Sequence, residues 1–125
     1  MIYFISGHRD ITEEEFNKYY VPELIKAVQQ PDSKFVVGDY EGVDIMAQKW
    51  LSLSLNDKKR VTVCHMFTTP RNLATQEFNT YGGFKSDEER DAWMTKNSDI
   101  DIAFVRPGKR RSGTAQNLVR RHEMK

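Results

Sequence analysis

Three short stretches carry residue types suited to capturing an anion. The first, Ser6-Gly7-His8-Arg9, offers a hydroxyl, a glycine and a cation. The second is Gly38-Asp39-Tyr40-Glu41-Gly42, with Asp44 two residues further on. The third, Arg106 to Thr114, contains Gly108, Gly113, the hydroxyls of Ser112 and Thr114, and the cations Arg106, Lys109, Arg110 and Arg111. Glycine lets a backbone approach a ligand closely. A helix N-terminus presents unpaired N–H groups and the positive end of a dipole, which suits phosphate. The spacing of glycine, lysine and hydroxyl in the third stretch is not that of a P-loop. Each stretch also has a plainer reading. Ser6 to Arg9 is then a strand-to-helix turn, Asp44 a carboxylate favoured at a helix start, and Arg106 to Thr114 a solvated basic turn with a serine cap.

Other chemistries find little support. His8, His65 and His122 lack the spacing of metal ligands, and Cys64 is the sole cysteine, so neither a metal nor a cofactor is expected. Cys64 ends the apolar run Val61-Thr62-Val63-Cys64 and reads as a buried strand residue. Neither Ser6 nor Ser112 sits in a G-x-S-x-G elbow. Glu13-Glu14-Glu15 and Asp87-Glu88-Glu89 read as charges at helix starts rather than as catalytic pairs.

The elements that would position these stretches alternate. Ile2 to Ile5, Phe35 to Val37, Val61 to Cys64 and Ile100 to Val105 are apolar runs of strand type. Thr12 and Glu15 form a capping box that opens a helix through Val28, kinked or split at Pro22. Val43 to Leu55 has helical spacing, Ser86 to Glu89 caps a helix reaching about Asn97, and a last helix starts near Gly113-Thr114. His65 to Lys85 shows no period and reads as a long loop. The order predicts an α/β, Rossmann-like domain: a mostly parallel sheet with helices on both faces, spanning residues 1–125 as one unit. In such a sheet ligands bind outside the carboxyl ends of the strands, where all three stretches fall.

The 125 residues carry a formal net charge of +1, which gives no electrostatic reason to expect nucleic acid or an acidic membrane. The tail from Arg106 to Lys125 is basic, so contact with nucleic acid remains an alternative. The opening Ile2-Tyr3-Phe4-Ile5 run is too short for a signal peptide or a membrane span, and a cytoplasmic setting is expected. Trp93, Phe78, Tyr81 and Phe84 exceed the needs of one small core, which leaves room for a homo-oligomer.

The three stretches, in this order, resemble the SLOG superfamily, which includes the DNA-processing protein DprA, the LOG phosphoribohydrolases and small YpsA-like proteins. Ile5-Ser6-Gly7-His8-Arg9-Asp10 is similar to the family's strand and G-S-R-D type turn. Gly38-Asp39-Tyr40-Glu41-Gly42-Val43-Asp44-Ile45-Met46-Ala47 is similar to a G-x-x-x-G-x-D-x-x-A stretch. Pro107-Gly108 through Ser112-Gly113-Thr114-Ala115 resembles the P-G-G-x-G-T phosphate motif. Glu89-Arg90-Asp91-Ala92-Trp93-Met94 resembles the E-R-K-x-x-M element of LOG enzymes, which implies a substrate-binding or catalytic role for Arg90. As an exposed helix residue, Arg90 is expected to matter little for folding. LOG enzymes place a glutamate three residues after the threonine; Asn117 stands there and cannot act as a carboxylate base. The resemblance therefore implies a binding or sensor domain for a nucleotide-like small molecule. Cleavage or transfer at a nucleotide N-glycosidic bond is the alternative, and DprA-like binding of single-stranded DNA is a second.

Overall fold

A computed structural model describes residues 1–108 and 112–124. The first strand, β1 (Ile2–Ser6), lies inside a five-stranded sheet. It is followed by α1 (Glu13–Tyr19), α2 (Val21–Val28), β2 (Lys34–Gly38), α3 (Val43–Ser54) and β3 (Val61–Met66). Then come β4 (Asn79–Phe84), α4 (Asp87–Lys96), β5 (Ile100–Ala103) and α5 (Gly113–Glu123). The strand order is β4-β3-β2-β1-β5, and every pairing is parallel. The fold is thus the expected α/β, Rossmann-like arrangement.

Alternation along the strands decides which helices cover which face. Tyr3, Ile5, Phe35, Val37, Val61 and Val63 point toward α1, α2 and α3 and form the larger core with Phe16, Leu24, Ala47 and Leu51. Phe4, Val36, Cys64 and Phe84 point the other way and pack with Met94 and Trp93 of α4. By this period of two, Ser6 and Gly38, the last residues of β1 and β2, face the α4 side. The Cys64 thiol is buried, and burial pushes its pKa up to about 12, so it stays protonated as a small packing group.

The capping box at Thr12 is present: Glu15 N–H donates to Thr12 Oγ1 at 3.1 Å and Thr12 N–H to Glu15 Oε1 at 3.0 Å. The expected helix from Thr12 to Val28 breaks in two at Tyr20, leaving Pro22 in the first turn of α2, where no N–H is needed. The break has a structural use. The buried Tyr20 hydroxyl donates to the Ser6 carbonyl at 2.7 Å and accepts from Phe104 N–H at 3.0 Å, tying the ends of β1 and β5 together. At Ser86 the box is incomplete. Ser86 Oγ caps Glu89 N–H, but Glu89 Oε2 accepts from Lys85 N–H instead.

The largest departure lies in 65–85, expected to be a loop. His65 and Met66 extend β3, and 79–84 forms β4, an edge strand paired in parallel with β3 across a register shift between Cys64 and Met66. Its Gly82 is required by the His65 ring, since a Cβ there would lie 2.2 Å from His65 Cε1. The aromatics of this region serve the fold. Phe78 joins the larger core, while Tyr81 and Phe84 pack against Trp93, with centroids 4.7 and 5.8 Å from it. β5 ends at Ala103, short of Val105. No helix among the described residues is long and apolar enough to cross a membrane.

Candidate functional site

A cavity of about 560 Å³ opens at the carboxyl ends of β1 and β2. Its walls are the turn after β1, the turn after β2, the first half of α4 and the N-terminus of α5. Ser6, Gly7, His8 and Arg9 line one side, Gly38 and Asp44 the floor, Arg90 the α4 wall, and Gly108, Ser112, Gly113 and Thr114 the opposite side. The three sequence-distant stretches and Arg90 therefore meet in one place. Among the described candidate residues Asp39, Gly42 and Arg106 do not line it.

Asp39 is fully buried behind the wall. Its Oδ1 accepts from Arg71 Nη2 at 2.7 Å and from Arg90 Nη1 at 2.8 Å, and its Oδ2 accepts from Arg71 N–H at 2.8 Å. Burial alone would raise its pKa, but hydrogen bonds from Arg71 and the charges of Arg71 and Arg90 outweigh that and hold it below the usual range. Asp39 thus stays ionised and anchors two arginines. Gly42 starts α3 with φ of 78°, and a Cβ there would lie 2.4 Å from Arg9 Cα. It is the crossing point that lets the turn after β1 rest on α3.

Arg90 is only 4% exposed, not the surface helix residue expected. Its Nη1 also lies 3.1 Å from Asp87 Oδ1, and its Nε and Nη2 donate to Asp91 Oδ1 at 3.1 and 2.9 Å. Three carboxylates share this guanidinium, so its charge is compensated within the protein. Arg106 is likewise committed. It donates from Nε and Nη2 to Glu15 at 3.0 and 2.7 Å and from Nη1 to Asp10 at 3.1 Å, while its N–H donates to His8 Nε2 at 2.9 Å. That last bond makes Nε2 an acceptor and places the His8 ring proton on Nδ1. The hydrogen bonds of Arg106 hold the Glu15 carboxyl down at about 2. Arg106 therefore joins two loops rather than waiting for an anion. Lys109, Arg110 and Arg111 lie outside the described residues.

Arg9 remains. Its Nη1 donates to the Tyr40 hydroxyl at 3.3 Å, and it forms no ion pair among the described residues. Arg71 lies over the other part of Tyr40, 4.8 Å from the ring centroid. At the far wall, Ser112 is the N-cap of α5 and its Oγ accepts from Ala115 N–H at 3.2 Å. The N–H groups of Gly113 and Thr114 precede the first intrahelical bond, Gln116 N–H to Ser112 O at 3.0 Å.

Two carboxyls, the buried Asp44 and the partly buried Asp91, complete the lining. Burial pushes Asp44 up to about 7, against the lowering influence of Arg90. Burial also raises Asp91, against Arg90 and a hydrogen bond from Asn117 Nδ2 at 3.3 Å. Sequence reasoning overlooked Asp91, Arg71 and Tyr40. Asp91 adjoins Arg90 in a charged helix start, where a carboxylate needs no special explanation, and Arg71 lay in the segment read as loop. No group of three or more His, Cys, Asp or Glu able to hold a metal lies among the described residues.

The chain matches no family model, no curated protein and no solved structure. The reading of the site rests on its own geometry. It is a cavity of a size typical for small ligands. Helix-terminal amides and Arg9, which has no ion pair among the described residues, line one part of it, and protonatable carboxyls line another.

Proposed function

We propose that the chain is a binding or sensor domain for a nucleotide or nucleotide-derived small molecule. The phosphate rests on the first turn of α5 and is approached by Arg9. The observation that supports this most is the capped N-terminus of α5 opening into the cavity, with Gly113 and Thr114 amides outside the helical ladder. The resemblance of the three lining stretches to the SLOG motifs points the same way. The binder reading is preferred over a catalytic one because Asn117 stands where the LOG pattern has its carboxylate, and Arg90 is already neutralised.

The test is a thermal-shift screen of the whole chain against nucleoside mono- and diphosphates, cyclic nucleotides and ADP-ribose derivatives. A ligand that binds only the folded state raises the melting temperature with the logarithm of its concentration. Absence of any shift at millimolar concentrations would defeat the reading. N-glycosidic cleavage is kept as a second reading on one observation: Asp44 and Asp91 both have raised pKa values and line the cavity, as a proton donor must. Release of free base from a bound nucleotide separates the two.

A further inference from the structure

One buried polar atom at the floor of the cavity has no partner among the described residues. Ser6 is 6% exposed, and its Oγ has no hydrogen-bond partner among the described residues. An orphaned buried hydroxyl costs free energy unless something completes it. Ser6 shares with Phe4 the face of β1 that looks toward α4, and both line the cavity, so the hydroxyl is directed toward that space.

Its neighbour on the next strand is open for a reason. With Ile5 paired to Val37, Ser6 and Gly38 are the following residues of adjacent parallel strands, about 4.8 Å apart. A Cβ at Gly38 would stand 2.5 Å from Asp44 Oδ2 and 2.9 Å from Arg90 Cζ. The missing side chain is what lets the Asp44 carboxyl lie over Gly38 at the end of β2. Asp44 Oδ2 accepts from Tyr40 N–H at 3.1 Å. The floor therefore presents the unpartnered Ser6 hydroxyl and, over the neighbouring Gly38, the Asp44 carboxyl. Across the Arg90 and Asp91 side chains stands the start of α5, with Asp91 Oδ2 3.9 Å from the position a Gly113 Cβ would take.

We propose that Ser6 and Asp44 form a sugar subsite that grips the ribose cis-diol of a ribonucleotide whose phosphate rests on the first turn of α5. This rests on the nucleotide reading above and adds the sugar to it. An ionised carboxylate only accepts hydrogen bonds, and a hydroxyl both donates and accepts. A vicinal diol matches that pair: one ribose hydroxyl donates to Asp44, and the other exchanges a hydrogen bond with Ser6. A 2′-deoxy sugar leaves one of these buried groups unmade, which costs about tenfold or more in affinity.

The test is calorimetric titration of the whole chain at pH 8 with AMP, GMP, CMP and UMP and with their 2′-deoxy counterparts, repeated on Asp44→Asn and Ser6→Ala. The proposal expects at least one ribonucleotide to bind tenfold or more tightly than its deoxy form, and each variant to shrink that gap below threefold. Equal affinity for the ribo and deoxy forms overturns the sugar subsite and leaves the phosphate reading standing. A preference that survives both variants overturns the assignment to these two residues. No binding by any of the eight probes overturns the sugar subsite, while the phosphate reading still stands or falls by the thermal-shift screen.

Discussion

Replacing Arg90 by alanine should cost far more than a helix-surface residue would. The guanidinium contacts Asp39 at 2.8 Å, Asp91 at 2.9 Å and Asp87 at 3.1 Å, with its side chain only 5% exposed. Asp39 keeps Arg71 in the variant, at 2.7 Å, and Asp87 is half exposed. Among the described residues Asp91 has no second ion pair; it keeps the 3.3 Å bond from Asn117 and the more distant charge of Arg120. One carboxylate, with its side chain 14% exposed, therefore loses its ion pair to a buried guanidinium, and a broken buried pair costs about 3–5 kcal/mol. That is a large share of the roughly 5–15 kcal/mol that holds a domain together, and it corresponds to a melting temperature lower by on the order of 10–20 °C. Protonation limits the loss. Without Arg90, the already raised pKa values of Asp44 and Asp91 rise further. A carboxyl whose folded pKa is raised favours the folded state at low pH, and that advantage is lost as pH rises through the folded value. The variant's deficit should thus be small at pH 5 and largest at pH 8. Urea unfolding of both proteins at pH 5, 6.5 and 8 measures this. A deficit below about 1 kcal/mol at pH 8 would refute the buried-network argument and return Arg90 to the surface role of an ordinary helix arginine.

Asp44→Asn should stabilise the protein at pH 8 relative to pH 5. The wild-type carboxyl at about 7 makes stability fall between roughly pH 4 and 7, and an amide does not titrate; equal pH profiles in urea melts would contradict this. Gly42→Ala should lower stability by about 2 kcal/mol or more, because φ of 78° and a Cβ 2.4 Å from Arg9 Cα both oppose it; a melting temperature within 2 °C of wild type, on the scale of a surface change, would contradict it. Incubation with nucleoside monophosphates should release no free base by chromatography, since Asn117 offers no carboxylate. Turnover that disappears in Asp91→Asn would favour the glycosidase reading.

The parts of this fold legible in the sequence were those where one local signal and the tertiary structure agree. The apolar runs of β1, β2 and β3 are buried on both faces, so pattern alone suffices for them. The Thr12–Glu15 box is a local contact between residues three apart, and the structure keeps it. β4 was not legible because an edge strand carrying Gly82 and Gly83 has neither an apolar run nor alternation, and its pairing depends on β3. Within the site, the glycine-rich stretches could be placed at one sheet edge from topology alone. Burial and partner choice could not. Nothing near Asp39 in sequence announces Arg71 or Arg90, which lie 32 and 51 residues away. Likewise Arg106 looked like a free cation until Glu15, 91 residues earlier, was found beside it.

The central claim places a phosphate on the first turn of α5. Titration of isotope-labelled protein with the nucleotide giving the largest thermal shift, followed by amide NMR, tests it most directly. The account predicts saturable shifts at Gly113 and Thr114, accompanied by Gly7 and Arg9 across the cavity. Saturable binding that leaves the Gly113 and Thr114 amides unmoved, with shifts confined to another surface, would contradict it.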